Sequence, residues 1–255
     1  MDPDTAIGGL RDRFPSTRHS LFEALATAGA AAGTLPGDAL EQVAALYWKP
    51  VYKYIRCKWR KDNEAAKDLT QSFFASALER DFFQQFDPAK ASFRTYLRMA
   101  LDRFAANEHA AANRQKRGGA VSFEALDFDG VEAGARAPAD TDTPEAIFHR
   151  EWQRQLFALA IEDLRTHCEH AGKQLQFQLF AEYDLAEGER PGYAGLAQGH
   201  GIPVTSLNNH LAWSRRMLRM FVTGRLRGVT SGDRELRDEM RLLLFKERGR
   251  PKAGA

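Results

Sequence analysis

The chain has 255 residues, with 36 Lys and Arg against 34 Asp and Glu and a net charge of +2. A hydrophobic fraction of 44% with 27% charged residues argues against wholesale disorder, and the length suits one or two small units with real cores. No predominantly apolar run approaches the roughly 20 residues that cross a bilayer, so no membrane partner is expected. The first residues lack the basic-then-apolar order of a signal peptide, and Cys57 and Cys168 are too few for a disulfide framework, so a reduced cytoplasm is the default.

Nearly every periodic segment predicts helix, and no alternating strand of useful length occurs. Residues 1–36 read as an N-terminal extension. After Pro36-Gly37, Asp38 with Glu41 resembles a capping box, and Leu40, Val43, Ala44, Tyr47, Val51, Tyr54, Ile55 and Trp59 repeat at three and four. A second helix is expected from about Asp62 to Glu79, with Ala65, Ala66, Leu69, Phe73 and Ala77 on its apolar stripe. A third starts near Ser92, with Phe93, Leu97 and Phe104 assigned to packing. Residues 118–143 hold Gly, Ala, Asp and Pro without a period and read as a flexible acidic linker. Thr143-Pro144-Glu145 restarts helix, Thr as N-cap and Pro at the first helical position. Phe148, Trp152, Leu156, Leu159 and Leu164 follow as its buried stripe. Further helices cover about Gln174–Glu182 and Asp233–Phe245. The expected fold is all-α: a helical unit over 37–117, a second over 144–230, and a C-terminal helix and tail over 231–255.

Charge is unevenly spread along this order. Residues 37–117 carry +5, residues 118–151 carry −6, residues 152–190 carry −3, and residues 191–230 carry five Arg with no acid. Two basic blocks flank an acidic one, a distribution that the total conceals.

The acid-free block contains GYAGLAQGHGIPVTSLNNHLAWSRRMLRMFV, residues 192–222. A helix-turn-helix needs a small residue where its helices touch and a Gly about four positions later for the turn, places that Ala197 and Gly201 fit. Ile202, Leu207 and Leu211 lie beneath the second helix. Thr205 and Ser206 are placed to cap it, and Asn208, Asn209 and His210 to point outward, with Arg215, Arg216 and Arg219 beyond. Asn reads adenine edges, while Arg and helix-terminal N–H groups hold phosphates. A helical hairpin with surface Arg is the competing reading.

The first unit holds Asp68-Leu69-Thr70-Gln71-Ser72-Phe73-Phe74, then Phe86-Asp87-Pro88, then Ser92-Phe93-Arg94-Thr95-Tyr96-Leu97. In order and spacing these resemble the extracytoplasmic-function sigma factors, the small alternative sigma subunits of bacterial RNA polymerase. That family carries D-L-x-Q-x-x-F, F-D-P and S-F-R-x-W-L. The resemblance covers about 37–117 and 144–222, and the long linker is similar to a divergent branch of the family. It implies a transcription initiation subunit with two partners, core RNA polymerase and promoter DNA. Glu64, Lys67, Asp68 and Gln71 would face polymerase. Arg94, Tyr96, Arg98, Arg103, Asn107, Arg114, Lys116 and Arg117 would capture the melted strand, since bases stack on aromatics while cations track phosphate. Tyr96 is left open between packing and stacking.

The sequence departs from the family at the polymerase-facing helix. The usual D-A-E-D-L-x-Q-E is here Ala65-Ala66-Lys67-Asp68-Leu69-Thr70-Gln71-Ser72, a loss of about three negative charges for meeting a basic surface. Phosphate on Thr70 or Ser72 would restore about −1.5 to −2 charges, which makes a Ser/Thr protein kinase a candidate partner and Thr70 the favoured acceptor. The second unit also lacks the family's basic run along its reading helix. Two other readings stay open: a helix-turn-helix regulator that no longer binds polymerase, and a kinase-read adaptor with no DNA role.

His167 and His170, with Cys168 or Glu169 between them, form the best metal candidate. A structural zinc site takes four ligands, and no second cluster lies near in sequence, so the helix-end reading is preferred. No nucleophile elbow, Gly-rich phosphate loop or His-Glu-x-x-His stretch occurs, so no enzyme activity, cofactor or metal is expected.

Overall fold

The computed structural model describes residues 37–79, 82, 85–117 and 143–247. The expected extension at 1–36, all but the last residue of the linker over 118–143, and the tail beyond 247 lie outside them. Among the described residues the chain is all-helical. Its elements are α1 (Gly37–Trp59), α2 (Asn63–Glu79), α3 (Phe93–Arg117), α4 (Pro144–His170), α5 (Gln174–Asp184), α6 (Tyr193–Gly199), α7 (Val204–Gly228) and α8 (Asp233–Glu247).

Local chemistry sets the helix starts. Asp62 caps α2, its Oδ1 accepting the Ala65 N–H at 2.8 Å. Ser92 caps α3 through the Thr95 N–H at 3.3 Å. Thr143 caps α4 through the Ala146 N–H at 3.2 Å, with Pro144 at the first helical position. The first helix begins at Gly37, so Asp38 falls inside its opening turn rather than at the N-cap. Between α2 and α3, Phe86-Asp87-Pro88 acts as a plug and a turn. Phe86 is buried with its ring 5.5 Å from that of Phe93, and Asp87 Oδ1 accepts the Ala89 N–H at 3.0 Å. That bond holds the Asp87 carboxyl below its usual range.

The segments on either side of residues 118–142 do not keep separate cores. One continuous apolar cluster draws Val43, Tyr47, Val51 and Ile55 from α1, Phe73 from α2, Phe93 and Leu97 from α3, and Phe148, Trp152 and Leu156 from α4. Val222 and Leu226 of α7 and Leu236 and Leu243 of α8 complete it. Its centre is aromatic: Tyr47 meets Phe93 edge-on at 5.7 Å and stacks on Phe148 at 6.4 Å, and Phe148 also meets Tyr54 at 5.7 Å. Burying a ring such as Phe148 contributes about 2–3 kcal/mol, so α4 is strongly held against α1. Polar contacts follow the same seam. Tyr54 Oη accepts from Lys58 Nζ at 2.9 Å and reaches Asp102 of α3 and Glu145 of α4. Burial pushes the Tyr54 phenol up to about 12, so it stays a neutral donor.

A second cluster forms under α5, α6 and α7, from Leu164, Cys168, Leu179, Phe180, Leu196, Ala197, Leu207 and Leu211. Arg225 ties α7 to α4, its Nε and Nη2 donating to Asp163 at 2.8 and 2.7 Å. No described helix is long and apolar enough to cross a membrane.

Candidate nucleic-acid interface

The turn between α6 and α7 is built by its sequence. Gly201 takes φ +63°, a conformation that a Cβ would strain. The Ile202 N–H then reaches back to Ala197 O at 3.0 Å and the Gly201 N–H to Gln198 O at 3.1 Å, so the last carbonyls of α6 are satisfied. Ala197 is 2% exposed, small enough to let α6 sit against α7. His200 bonds Glu182 at 2.9 Å, tying the turn to α5 and drawing the Glu182 carboxyl below its usual range.

Thr205 and Ser206 do not cap α7. Pro203 holds the N-cap position at φ −62°, ψ 146° with no side-chain hydrogen bond, and the helix starts at Val204. Both hydroxyl residues therefore lie in the first turn, among N–H groups that have no partner within the helix. Thr205, Asn208, Asn209, Ala212, Arg216 and Arg219 are all exposed, whereas Ser206 and His210 are half-buried. The exposed six recur at helical spacing and mark one face about 21 Å long at 1.5 Å per residue. Positive charge at one end and a helix N-terminus at the other suit a phosphate backbone, with Asn side chains between them.

Two of the five arginines in this block are engaged by acids from elsewhere. Arg215 makes paired bonds of 2.9 Å to Asp184, beside the Tyr183 ring, and Arg225 pairs with Asp163. Neither belongs to the open face. His167 lies against Trp213 at 6.1 Å and Phe221 at 5.7 Å, while His170 is exposed, so the two histidines of the metal candidate do not share a surrounding.

The strand-capture candidates on α3 divide sharply. Arg94 is 15% exposed; its guanidinium lies 4.5 Å from the Trp152 ring, bonds His149 Nδ1 at 2.6 Å and pairs with Glu239 at 3.3 Å. Tyr96 packs against Phe82 and Phe86 and donates its hydroxyl to Phe82 O at 2.6 Å, so it is committed to packing. Arg98 stands 3.8 Å from Glu145. Arg103 and Asn107 are exposed four residues apart on one face. Arg114, Lys116 and Arg117 lie in the last turns of α3, with side chains outside the described residues.

On α2 the outward face carries Glu64, Asp68, Gln71 and Ser72, all exposed, with Lys67 half-buried and paired to Glu64 at 3.1 Å. Thr70 is on the other side. It is 0% exposed, its Oγ1 donates to Ala66 O at 2.7 Å, and it shares a buried stripe with Ala66, Phe73 and Ala77. A kinase cannot reach a hydroxyl so placed, so Thr70 is corrected to a packing residue; Ser72 is the accessible hydroxyl.

Sequence reasoning missed the Asp163–Arg225 pair, the Asp184–Arg215 pair and the contacts of Glu235 and Glu239 with α3. Each joins residues far apart in the chain, and no local pattern marks it. No family model, curated protein or solved structure matches this chain.

Proposed function

We propose that this chain is an alternative sigma factor that directs bacterial RNA polymerase to specific promoters. In this reading the outward face of α2 meets core polymerase, α3 takes the melted promoter strand, and α7 reads the upstream element as duplex. The observation that carries it is the open face of α7: Thr205, Asn208, Asn209, Arg216 and Arg219 in one exposed row, behind a turn with Ala197 and Gly201 where a helix-turn-helix needs them. The family resemblance supplies the polymerase.

Ser72 takes the place of Thr70 as the modification site. A phosphate there would add about −1.5 to −2 charges beside Asp68 and Gln71, on the face that the family uses for polymerase. One observation favours a second reading, a DNA-binding regulator without polymerase: Glu64 is already paired with Lys67, which leaves that face little net negative charge.

Co-elution of purified core polymerase with wild type, Ser72→Ala, Ser72→Glu and kinase-treated protein tests both. The sigma reading expects a complex that Ser72→Glu or phosphorylation strengthens and Ser72→Ala does not. Equal binding by all four removes the switch. No complex under any condition, with duplex DNA binding intact, returns the regulator.

A further inference from the structure

The C-terminal helix grips the start of α3. Glu235 Oε1 accepts the Phe93 N–H at 2.8 Å, while its Oε2 accepts the Ser231 N–H at 2.8 Å and the Ser231 hydroxyl at 2.7 Å. One turn on, Glu239 is 4% exposed with Oε1 3.3 Å from Arg94, and its Oε2 meets no hydrogen-bond partner. Leu236 and Leu243 anchor the same helix in the apolar core.

Two carboxylates from one helix thus occupy a guanidinium and a helix-terminal N–H. Those are the donors that proteins offer to the phosphates of nucleic acid. The fit is incomplete, because a buried carboxylate oxygen without a partner is held at a cost. A contact made only to complete the fold would not need one anion on Arg94 and another on the Phe93 N–H. A contact that gives way to a better anion is built in this manner, strong enough to close and short of full satisfaction.

We propose that α8 is an internal competitor for the phosphate backbone of single-stranded DNA. Seated, it withholds the first turn of α3 and the Glu239-facing side of Arg94; displaced, it uncovers that end of α3, with Arg94 still supported by Trp152 and His149. The proposal rests on the reading of α3 as the strand-capturing helix, and it gives that site its regulation.

The test pairs amide hydrogen exchange with anisotropy titration of a fluorescein-labelled single-stranded oligonucleotide, on the full-length chain. Leu236→Asp/Leu243→Asp unseats α8 while adding negative charge, so a gain in DNA binding cannot come from bulk electrostatics. Exchange across α8 and at Phe93 is expected to accelerate, with α5 and α6 unchanged as the control for folding. Oligonucleotide binding is expected to tighten about tenfold and to weaken with salt, and Arg94→Ala in the opened background removes the gain. Should the double variant disturb more than α8, Glu239→Lys opposes two cations at the same contact. It is expected to open the helix, and Arg94→Glu/Glu239→Lys to close it again. Opening without tighter oligonucleotide binding, or a gain that survives loss of Arg94, overturns the proposal, as does unchanged exchange in every variant. If duplex binding through α7 persists in that case, only the α8 proposal falls; if no form binds any DNA, the sigma reading falls with it.

Discussion

At position 70 a hydroxyl sits where the helix period demands a core residue. Thr70 is four residues after Ala66 and three before Phe73, and it faces inward with them, 0% exposed. The spacing is legible in the sequence, but the residue type points toward chemistry instead. The consequence is specific. Thr70→Val keeps the shape, and Ala66 O keeps its backbone partner, so the cost is expected to stay within about 1 kcal/mol. Thr70→Glu puts an unpaired charge into the core and is expected to cost at least about 3 kcal/mol rather than mimic a phosphate. Thermal melts of both decide; a Thr70→Glu variant that is tolerated and gains polymerase binding contradicts the placement. Gly201 makes the second residue-level case. Nothing lies within 4 Å of the place where a Cβ would stand, so Gly201→Ala pays only for φ +63°. That cost is expected at about 1–2 kcal/mol, with the turn geometry kept. A Gly201→Ala variant that is neutral in denaturant unfolding contradicts it.

For helices, element existence was largely legible because it rests on short-range signals. Thr143-Pro144 fixed the start of α4, and Asp62 and Ser92 the starts of α2 and α3. What local pattern could not supply was the partner of each charge. The block over 191–230 has no acid in sequence, yet Arg225 and Arg215 find theirs 62 and 31 residues away. Those two arginines are structural, and the open surface rests on Arg216 and Arg219. With side chains 8% and 10% exposed, Arg225 and Asp163 form a buried pair whose breaking leaves a charge without its partner. Asp163→Ala is therefore expected to cost about 3–5 kcal/mol, whereas Asp163→Leu/Arg225→Met is expected near neutral. Arg216→Ala/Arg219→Ala is expected to leave stability alone and lower only DNA affinity. Melting curves that rank these variants otherwise contradict the division of arginines into structural and open.

For the molecule as a whole, the sequence suggested two units on an acidic tether, and in the described residues the segments share one core. Nothing local marks this. The apolar stripe of α4, read correctly as buried, does not say that α1 covers it, and Leu236 and Leu243 do not say that α8 reaches α3. The seam carries a pH signature. Burial holds the Glu239 carboxyl above its usual range, Glu235 and Asp238 add to the effect, and Arg94 opposes it. The folded chain therefore binds this proton more tightly than the unfolded chain does. The stabilisation is complete below the ordinary glutamate value and is lost as pH rises through the raised one. Glu239→Gln is expected to flatten the dependence of melting temperature on pH across that window. A variant that keeps the wild-type slope contradicts this account of the seam.

The charge total of +2 excluded nothing about nucleic acid: among the described residues Arg215 and Arg225 are paired with acids, while Arg216 and Arg219 stand on the open face of α7. Whether that face serves transcription initiation is decided by in vitro transcription of genomic fragments by core RNA polymerase, with and without the purified chain. The account predicts transcripts with defined start sites only when the chain is present, lost on Arg216→Ala/Arg219→Ala. Core polymerase that initiates nowhere new in the presence of wild-type, phosphorylated or Ser72→Glu protein would contradict it.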